Sequence, residues 1–491
     1  MLRLPAAASA LLLAATPAAA QSTAAKIWEQ NCASCHGADG AGNSASSLLD
    51  DDWETDGTDR GLYASIDDGL KHLGMPAYGG ALTPAEIWSQ VVYLRELRED
   101  AERAENPAAV AKPGTGGVKE GTGVYATDRA TFRLEEVPVN AATLERPWAI
   151  DFLPDGRVLL TERAGALLVV PAGGGDAVRV AGTPRVWEHG QGGLLDVALD
   201  PAYRDNGWVY LSFSTSSGER DGRAVGNTAF VRGRIAGDGS GGLRWEDQQL
   251  VHRPDEADDG PQGVHFGSRF AFDGDGHVFV ALGERGRNEL SLETDTAFGK
   301  VLRLDEDGSV PADGQPFADD PAAVRGLWTL GHRNPQALLF QPGSGRLYGI
   351  EHGPRGGDEI NLIEPGRSYG WSRYSYSINY NGTPRGRNAP WHAEAGETEP
   401  VFTWTPSIAP CGAAFYDADA FPGWRGDLFV TSLVKQELHR IRLSKDGRSV
   451  AEQEVLLRGI GRLRDVATGP DGALWIAAEK PGRVFRVVPA S

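Results

Sequence analysis

The chain has 491 residues, a formal net charge of −19 at pH 7 and three cysteines. This length is enough for two domains or more. The acidic balance argues against nucleic acid or an anionic membrane surface as a partner. Two cysteines share one short motif and Cys411 stands alone, which excludes a disulfide framework. In SIAPCGAAF, Cys411 is expected to be a small buried apolar group rather than a reactive thiol.

Residues 1–20, MLRLPAAASALLLAATPAAA, have the pattern of a secretory signal peptide. Arg3 precedes an apolar run, and small residues precede Gln21. The run is too short to span a bilayer, and it lacks the polar face of a packed N-terminal helix. We therefore expect export to the periplasm with cleavage of this segment. No later stretch reaches membrane-spanning length, so no transmembrane segment is predicted.

The stretch NCASCHGADG contains Cys32, Cys35 and His36 in the spacing C-x-x-C-H, which is the attachment sequence of a c-type haem. The two thiols become thioethers, and His36 becomes the proximal iron ligand. A chance match or a redox dithiol would be the alternatives. Met75, the only methionine besides Met1, lies in LGMPAYGG and is expected to be the second iron ligand, with His72 as its rival. His–Met ligation suits electron transfer.

Two predicted helices flank the haem motif. AAKIWEQNCASCHG predicts a short helix that leads into the motif, and LTPAEIWSQVVYLRELRED predicts a longer one. In the longer helix Thr83 is the N-cap, Pro84 the first helical residue and Glu86 the partner in a capping box. This layout resembles class I cytochrome c over residues 22–104. Residues 105–126 are rich in Ala, Pro and Gly without an apolar period, which predicts a flexible linker.

A weak repeat runs through the remaining chain, residues 127–491. Each copy has an acidic or Gly/Pro turn followed by a strand of branched and aromatic residues. The copies are FLPDGRVLLTER, ALDPAYRDNGWVYLSFS, AFDGDGHVFVALGE, FQPGSGRLYGIEHG, YDADAFPGWRGDLFVTSL and TGPDGALWIAAEK. Six copies predict an all-β, six-bladed β-propeller that follows a small all-α N-terminal domain. A large β-sandwich would not explain the recurrence.

Three stretches of this second domain carry unusual densities of polar groups. LGHRNPQALLF contains Arg333 and Asn334, and IEHGPRGGDEINLI contains Asp358 and Glu359. In GIGRLRDVATGPDG, Arg462 and Arg464 are two residues apart and share one face of an extended strand, which makes them a candidate clamp for carboxylates. Taken singly, each stretch fits a salt-bridged loop equally well.

Together these stretches resemble the soluble sugar dehydrogenases that depend on pyrroloquinoline quinone (PQQ). The resemblance covers residues 127–491, and an N-terminal cytochrome is similar to fused quinohaemoprotein versions. The matching segments occur in the family's order: GQGGLLDVALDP, HFGSRFAFDGDGHVFVALGERGRNEL, LGHRNPQALLF, HGPRGGDEINLI, WTPSIAPCGAAFY and RLRDVATGPDG.

The resemblance implies a set of roles. His265 is the general base for the anomeric hydroxyl, a role that suits a histidine. Arg333 stabilises charge at the quinone, Asn334 and the two later arginines bind the cofactor, and Gln191 contacts the sugar. Ca²⁺ is held by main-chain carbonyls of Gly353 and Pro354, since calcium accepts backbone oxygens.

Three positions depart from the family's pattern. The family's quinone-binding lysine aligns with Val434, and Lys435 is next to it, so either a bulge restores Lys435 to the pocket or the contact is missing. The aspartate before the catalytic histidine is Val264 here. The sugar-contacting glutamine of soluble glucose dehydrogenase is replaced here by Glu289, and Leu290 after it is a further expected substrate residue. Recognition should therefore be nearer to broad aldose oxidation than to glucose specificity.

The expected function is oxidation of aldoses to lactones by hydride transfer to PQQ, with electrons passing to haem c and then to an external acceptor such as a soluble cytochrome or quinone. Two alternatives stay open at this point. One is a calcium-dependent sugar-lactone hydrolase, which requires acidic side chains around the metal. The other is a non-catalytic sugar-binding propeller that carries a separate electron-transfer domain.

Overall fold

The computed structural model describes residues 23–50, 52–105, 123–142, 144–237, 239, 242–385 and 390–490. The predicted signal peptide, residues 1–20, and most of the predicted linker lie outside these ranges. Within them, no helix is both long and apolar enough to cross a membrane.

A small helical domain comes first, as the sequence predicts. Its helices are α1 (Thr23–Asn31), α2 (Ala33–His36), α3 (Asp59–Asp68) and α4 (Pro84–Glu105). The predicted capping box of α4 is confirmed: the Glu86 carboxylate accepts from the Thr83 backbone N–H at 2.8 Å, and the Thr83 hydroxyl accepts from the Glu86 N–H at 3.3 Å. Ile87 and Val91 of α4 are fully buried.

In its described residues the second domain consists of β-strands with one short α-helix, α5 (Tyr203–Asn206), and several short 3₁₀ helices. The first three strands are β1 (Val124–Ala126), β2 (Thr131–Val137) and β3 (Val139–Asn140). The first four-stranded blade comprises β4 (Pro147–Phe152), β5 (Val158–Glu162), β6 (Ala166–Val170) and β8 (Val178–Ala181), while β7 (Gly175–Asp176) pairs with β3. The second blade comprises β9 (Leu194–Leu199), β10 (Val209–Arg220), β11 (Arg223–Gly237) and β12 (Leu243–His252). The third comprises β13 (Gly267–Phe272), β14 (His277–Leu282), β15 (Lys300–Asp305) and β16 (Leu327–Leu330).

The remaining strands complete the ring. The fourth blade comprises β17 (Pro335–Phe340), β18 (Leu347–Glu351), β19 (Asp358–Ile363) and β20 (Phe402–Trp404). The fifth comprises β21 (Pro410–Phe415), β22 (Leu428–Ser432), β23 (Glu437–Leu443) and β24 (Val450–Arg458). The sixth comprises β25 (Arg462–Thr468), β26 (Leu474–Glu479), β27 (Arg483–Pro489) and the early strand β2.

The six-bladed propeller is confirmed. Each of the six sequence repeats forms the first hairpin of one blade, in which the innermost strand turns back into the second strand. The ring closes where β2 pairs with β27, with Phe132 opposite Pro489 and Val137 opposite Val484. Strand β1 extends this sheet, so the propeller begins at Val124, inside the predicted linker.

A buried ion cluster ties the innermost strands together at the centre of the ring. The Arg269 guanidinium on β13 lies 2.9 Å from Asp196 on β9 and 3.2 Å from Asp465 on β25. It also donates to the Gln336 carbonyl on β17 at 2.6 Å and covers the Trp148 ring on β4. One side chain of the third blade therefore contacts four other blades.

We expect the substitution Arg269→Met to destabilise the propeller by about 3–5 kcal/mol, because it leaves two buried carboxylates without their cation. Urea-induced unfolding followed by tryptophan fluorescence measures the change. Arg157→Met is the matched control, since Arg157 pairs with Asp155 on the surface and its loss should cost less than about 1 kcal/mol. Equal stability losses in the two variants would contradict this role for Arg269.

Candidate active site

One mouth of the propeller opens into a cavity of about 310 Å³. Its lining residues sit where innermost strands begin or second strands end, so the topology collects them from distant parts of the sequence. The cavity is strongly cationic: among the described residues it is lined by five basic side chains, Arg146, Arg163, Arg462, Arg464 and Lys480, and by one carboxylate, Glu479. The sequence analysis found Arg462 and Arg464 and missed the other three.

Arg462 and Arg464 lie on one face of β25, as their spacing predicts, and both contact Glu479. Burial alone would raise the pKa of Glu479, but the Arg464 and Arg462 guanidiniums hold that pKa below its usual range. Arg464 also donates to the Cys411 sulfur at 3.3 Å, while its Nε is buried without a partner. Cys411 is fully buried, as expected for a small apolar group.

His265 lies at the same mouth, just before β13, with a positive φ of 52°. Few non-glycine residues adopt this conformation, and strain of this kind clusters at functional sites. The His265 N–H donates to the Gln191 side chain at 2.8 Å, and its imidazole Nδ1 bonds the Glu284 carboxylate. A carboxylate on Nδ1 fixes the tautomer that leaves Nε2 as the basic nitrogen. The sequence analysis missed Glu284, although it quoted the GERGRNEL segment that contains it.

The charge state of His265 follows from these surroundings. Burial lowers its pKa, the Glu284 carboxylate partly restores it, and the Arg333 guanidinium lowers it again. The net pKa is below the usual value for histidine. The imidazole is therefore neutral, and so able to accept a proton, at neutral pH.

Arg333 and Asn334 connect His265 to the loop after β18. Arg333 donates to the His352 carbonyl at 3.1 Å and to the Gly353 carbonyl at 3.3 Å, and its Nε is buried without a partner. Asn334 accepts from the Gly267 N–H at 3.2 Å. The Arg333 carbonyl accepts from the Glu284 N–H at 2.9 Å, which links the loop to the partner of His265.

The loop with Gly353 and Pro354 is braced by a buried carboxylate. Asp358 accepts from the Gly353 N–H at 2.8 Å, and its other oxygen accepts from the Ser407 hydroxyl at 2.7 Å and from the backbone of Ile408. Burial raises the pKa of Asp358 to about 6. With its N–H held in this way, Gly353 presents its carbonyl to the Arg333 guanidinium. A backbone carbonyl is a ligand type that calcium accepts.

Of the expected site residues, the cavity is lined by Gln191, Asn334, Arg462 and Arg464 but not by His265, Arg333, Gly353 or Pro354. Three more expected residues, Lys435, Glu289 and Leu290, also lie outside the lining. The Lys435 ammonium contacts Glu99 of α4, and Val434 beside it is 57% exposed. Of the two alternatives for Lys435, the structure favours the missing quinone contact. Glu289 and Leu290 lie on a short 3₁₀ helix, Asn288–Leu292, where Glu289 is exposed and the Leu290 carbonyl accepts from the buried Lys300 ammonium.

The expected haem ligands lie in the helical domain. Cys32 caps α2, which carries Cys35 and His36, and the cysteines are unbridged. His36 is half-buried, and the single turn of α2 places it next to the two cysteines, as the attachment of a covalent haem requires. Met75 follows the 3₁₀ turn Lys71–Leu73 and is half-buried, whereas its rival His72 is exposed. These residues fit a covalently bound haem.

Comparison with known proteins assigns the second domain. Residues 144–486 match the sequence model of the family described as Glucose / Sorbosone dehydrogenase. The chain belongs to this family. Residues 19–94 match a second family, described as Cytochrome C oxidase, cbb3-type, subunit III. The chain is therefore a sugar dehydrogenase family member fused to a cytochrome c domain.

Individual relatives agree with this assignment. The aldose sugar dehydrogenase YliI of Escherichia coli is 40% identical over 349 residues, which are 70% of this chain and 91% of the relative. The apo crystal structure of the soluble aldose sugar dehydrogenase from E. coli superposes with a TM-score of 0.66 at 37% identity and covers 73% of this chain and 100% of that one. The PQQ-bound aldose sugar dehydrogenase of Streptomyces coelicolor gives a TM-score of 0.58 at 28% identity, covering 73% and 98%.

Proposed function

We propose that this dehydrogenase oxidises the anomeric carbon of aldoses to lactones with PQQ as hydride acceptor, and that haem c receives the electrons. The observation that carries the proposal is the His265–Glu284 pair, placed beside Arg333 and Asn334 at a cationic mouth. The PQQ-bound structure of the S. coelicolor relative supports the choice of cofactor. Export to the periplasm and an external acceptor belong to the same proposal.

The cavity fits a tricarboxylate. Five basic side chains face one carboxylate, and Arg333 and Arg464 each retain a buried N–H without a partner. Arginine forks bind carboxylates with two parallel hydrogen bonds. Arg462, Arg464 and Asn334 would hold PQQ, and the Gly353 and Pro354 carbonyls would hold Ca²⁺. When bound, PQQ supplies the hydride acceptor and calcium supplies a Lewis acid beside it.

The chain's own residues supply the proton chemistry. The neutral His265 Nε2 takes the proton of the anomeric hydroxyl, and Glu284 holds the ring in position and stabilises the imidazolium that forms. The Gln191 side chain accepts from the His265 backbone N–H and lines the cavity, where it would contact the sugar. Arg333 is a buried cation, and beside the bound acceptor it would stabilise developing negative charge.

The carboxylates near the expected calcium loop are committed to other bonds. Asp358 braces Gly353 and Ser407, while Glu351 accepts from the Arg333 N–H and contacts His332. A lactone hydrolase would need such groups free to surround the metal. Their use as braces supports the dehydrogenase.

The test adds PQQ and Ca²⁺ to the purified, oxidised haem protein and offers a panel of aldoses. We expect the reduced-haem band to appear only when cofactor, calcium and sugar are all present. An artificial dye in a parallel assay reports oxidation independently of the haem. If neither the haem nor the dye is reduced with any sugar, the proposed function is wrong.

As the pH is lowered, kcat/KM should begin to fall only below pH 6.5, the ordinary pKa of histidine. This fall is the acid limb of the pH profile. His265 must be neutral to accept a proton, and because its pKa is lowered, activity persists as the pH falls until that lowered pKa is reached. The pH profile of kcat/KM in the dye assay measures the limb. In Glu284→Gln the limb should move further towards acid, because the carboxylate that raises the His265 pKa is gone. A limb above pH 7 would contradict the assigned base.

A further inference from the structure

Helix α4 of the cytochrome domain contacts the propeller through two charged pairs. The Glu96 carboxylate binds Arg355 at 2.6 Å (Nε) and 2.7 Å (Nη2), which is the bidentate geometry of a strong pair. Glu99, one turn further on, binds the Lys435 ammonium. All four side chains are at most 27% exposed, so water screens both pairs less than it screens surface pairs.

An apolar patch lies beside these pairs. The Trp88 indole donates to the Tyr376 carbonyl at 3.0 Å, and its ring packs edge-on against Tyr376 and Trp391 of the propeller, each at 5.6 Å between centroids. Val92 packs over Gly356, close enough that an added Cβ would lie 3.5 Å from it. The interface therefore has an apolar centre and a charged edge, like stable protein–protein contacts.

The charged edge reaches the active site. Arg355 directly follows Gly353 and Pro354 in the chain, and it donates to the Tyr380 carbonyl at 3.4 Å. The Tyr380 hydroxyl in turn accepts from Arg333 at 3.4 Å. Two residues thus separate the cytochrome's Glu96 from Arg333.

We propose that Glu96 and Glu99 are positioning residues that dock the cytochrome domain at the active-site mouth, so that electrons leave the propeller through its haem. This inference rests on the proposed function. It assigns domain docking to Lys435, the residue next to Val434, which aligns with the family's quinone-binding lysine. Tethering keeps the docked partner at high effective concentration, and the charged pairs set its orientation.

A cross-linking experiment tests the docking without any sugar or PQQ. The full-length haem protein is treated with a carbodiimide, which joins a carboxylate to an amine only when they are in contact. By mass spectrometry we expect a Glu99–Lys435 cross-link that is lost in Lys435→Gln. It should be kept in Lys71→Gln, which alters an exposed lysine of the cytochrome domain. Absence of the wild-type cross-link would overturn the docking.

A kinetic experiment tests the consequence. In Glu96→Gln/Glu99→Gln we expect haem reduction by sugar to slow about tenfold while dye reduction is unchanged, because two partly shielded pairs are lost. Glu29→Gln, at an exposed position of α1, should leave both rates unchanged. Combining Glu99→Lys with Lys435→Glu should restore haem reduction relative to Glu99→Lys alone.

The outcomes separate the two proposals. If the double variant reduces its haem at the wild-type rate, the pairs do not position the cytochrome. If dye and haem reduction fall together, the variant has damaged the propeller, and the docking role is wrong. If the wild-type protein reduces neither acceptor, the proposed function fails, and the cross-link alone decides the docking.

Discussion

Replacing His265 with alanine is expected to lower kcat for aldose oxidation by about 10²–10⁴-fold, the usual contribution of a positioned general base. Glu284 holds the imidazole at Nδ1, and the Gln191 side chain accepts from the His265 backbone N–H. Its lowered pKa keeps it neutral at working pH. Alanine removes the proton acceptor, and a water molecule in its place would lack both the orientation and the adjacent carboxylate.

The measurement is steady-state dye reduction in the presence of PQQ and calcium, together with a PQQ-binding titration. Binding should change little, because the cofactor's carboxylates are assigned to the arginines. His277→Ala is the matched control: this histidine pairs with Asp273 in the β13–β14 hairpin and should not affect turnover. A His265→Ala enzyme with unchanged kcat would require another base, and the role of Glu284 would then need a structural explanation.

The repeated hairpins made the propeller predictable. An Asp-Gly or Gly-Pro turn between two apolar strands specifies its own register, since the turn and the period-two pattern act over about ten residues. The outer strands of the blades are less regular: β20 has only Phe402–Trp404, and β2 joins its blade from the far end of the domain. No local sequence pattern specifies such pairings, so the closure of the ring by β2 and β27 could not be predicted from the sequence.

The same reasoning explains which site residues were found. Arg462 and Arg464 are two residues apart, so their shared face follows from strand geometry. The other three basic residues of the cavity stand singly at strand ends: Arg146, Arg163 and Lys480. In sequence, such residues cannot be distinguished from solvated charges of a loop. The contact of Lys435 could not be predicted from the propeller sequence. Its partner Glu99 belongs to the other domain, and no pattern within residues 127–491 indicates the pair.

Arg464→Met should weaken PQQ binding by about 10²-fold, since removing one member of a desolvated charge pair costs several kcal/mol. The Arg464 side chain is 12% exposed, and its buried Nε has no partner among the residues that the structure describes. That N–H is available to a ligand carboxylate. Quenching of tryptophan fluorescence measures the dissociation constant, because Trp148 lines the same cavity. Arg464→Lys keeps the positive charge but loses the guanidinium fork, so its dissociation constant should lie between those of the wild type and Arg464→Met.

The substitution also removes a cation from Glu479, and this second effect has to be separated from the first. In Arg464→Met/Glu479→Gln the orphaned carboxylate is gone. If the loss of affinity arose from repulsion between Glu479 and the ligand, the double variant would recover most of it. If Arg464 binds the cofactor directly, the double variant stays weak, because neither remaining group can donate to a carboxylate as a guanidinium does. An unchanged dissociation constant in Arg464→Met would mean that the cofactor's carboxylates lie against other cations of the cavity.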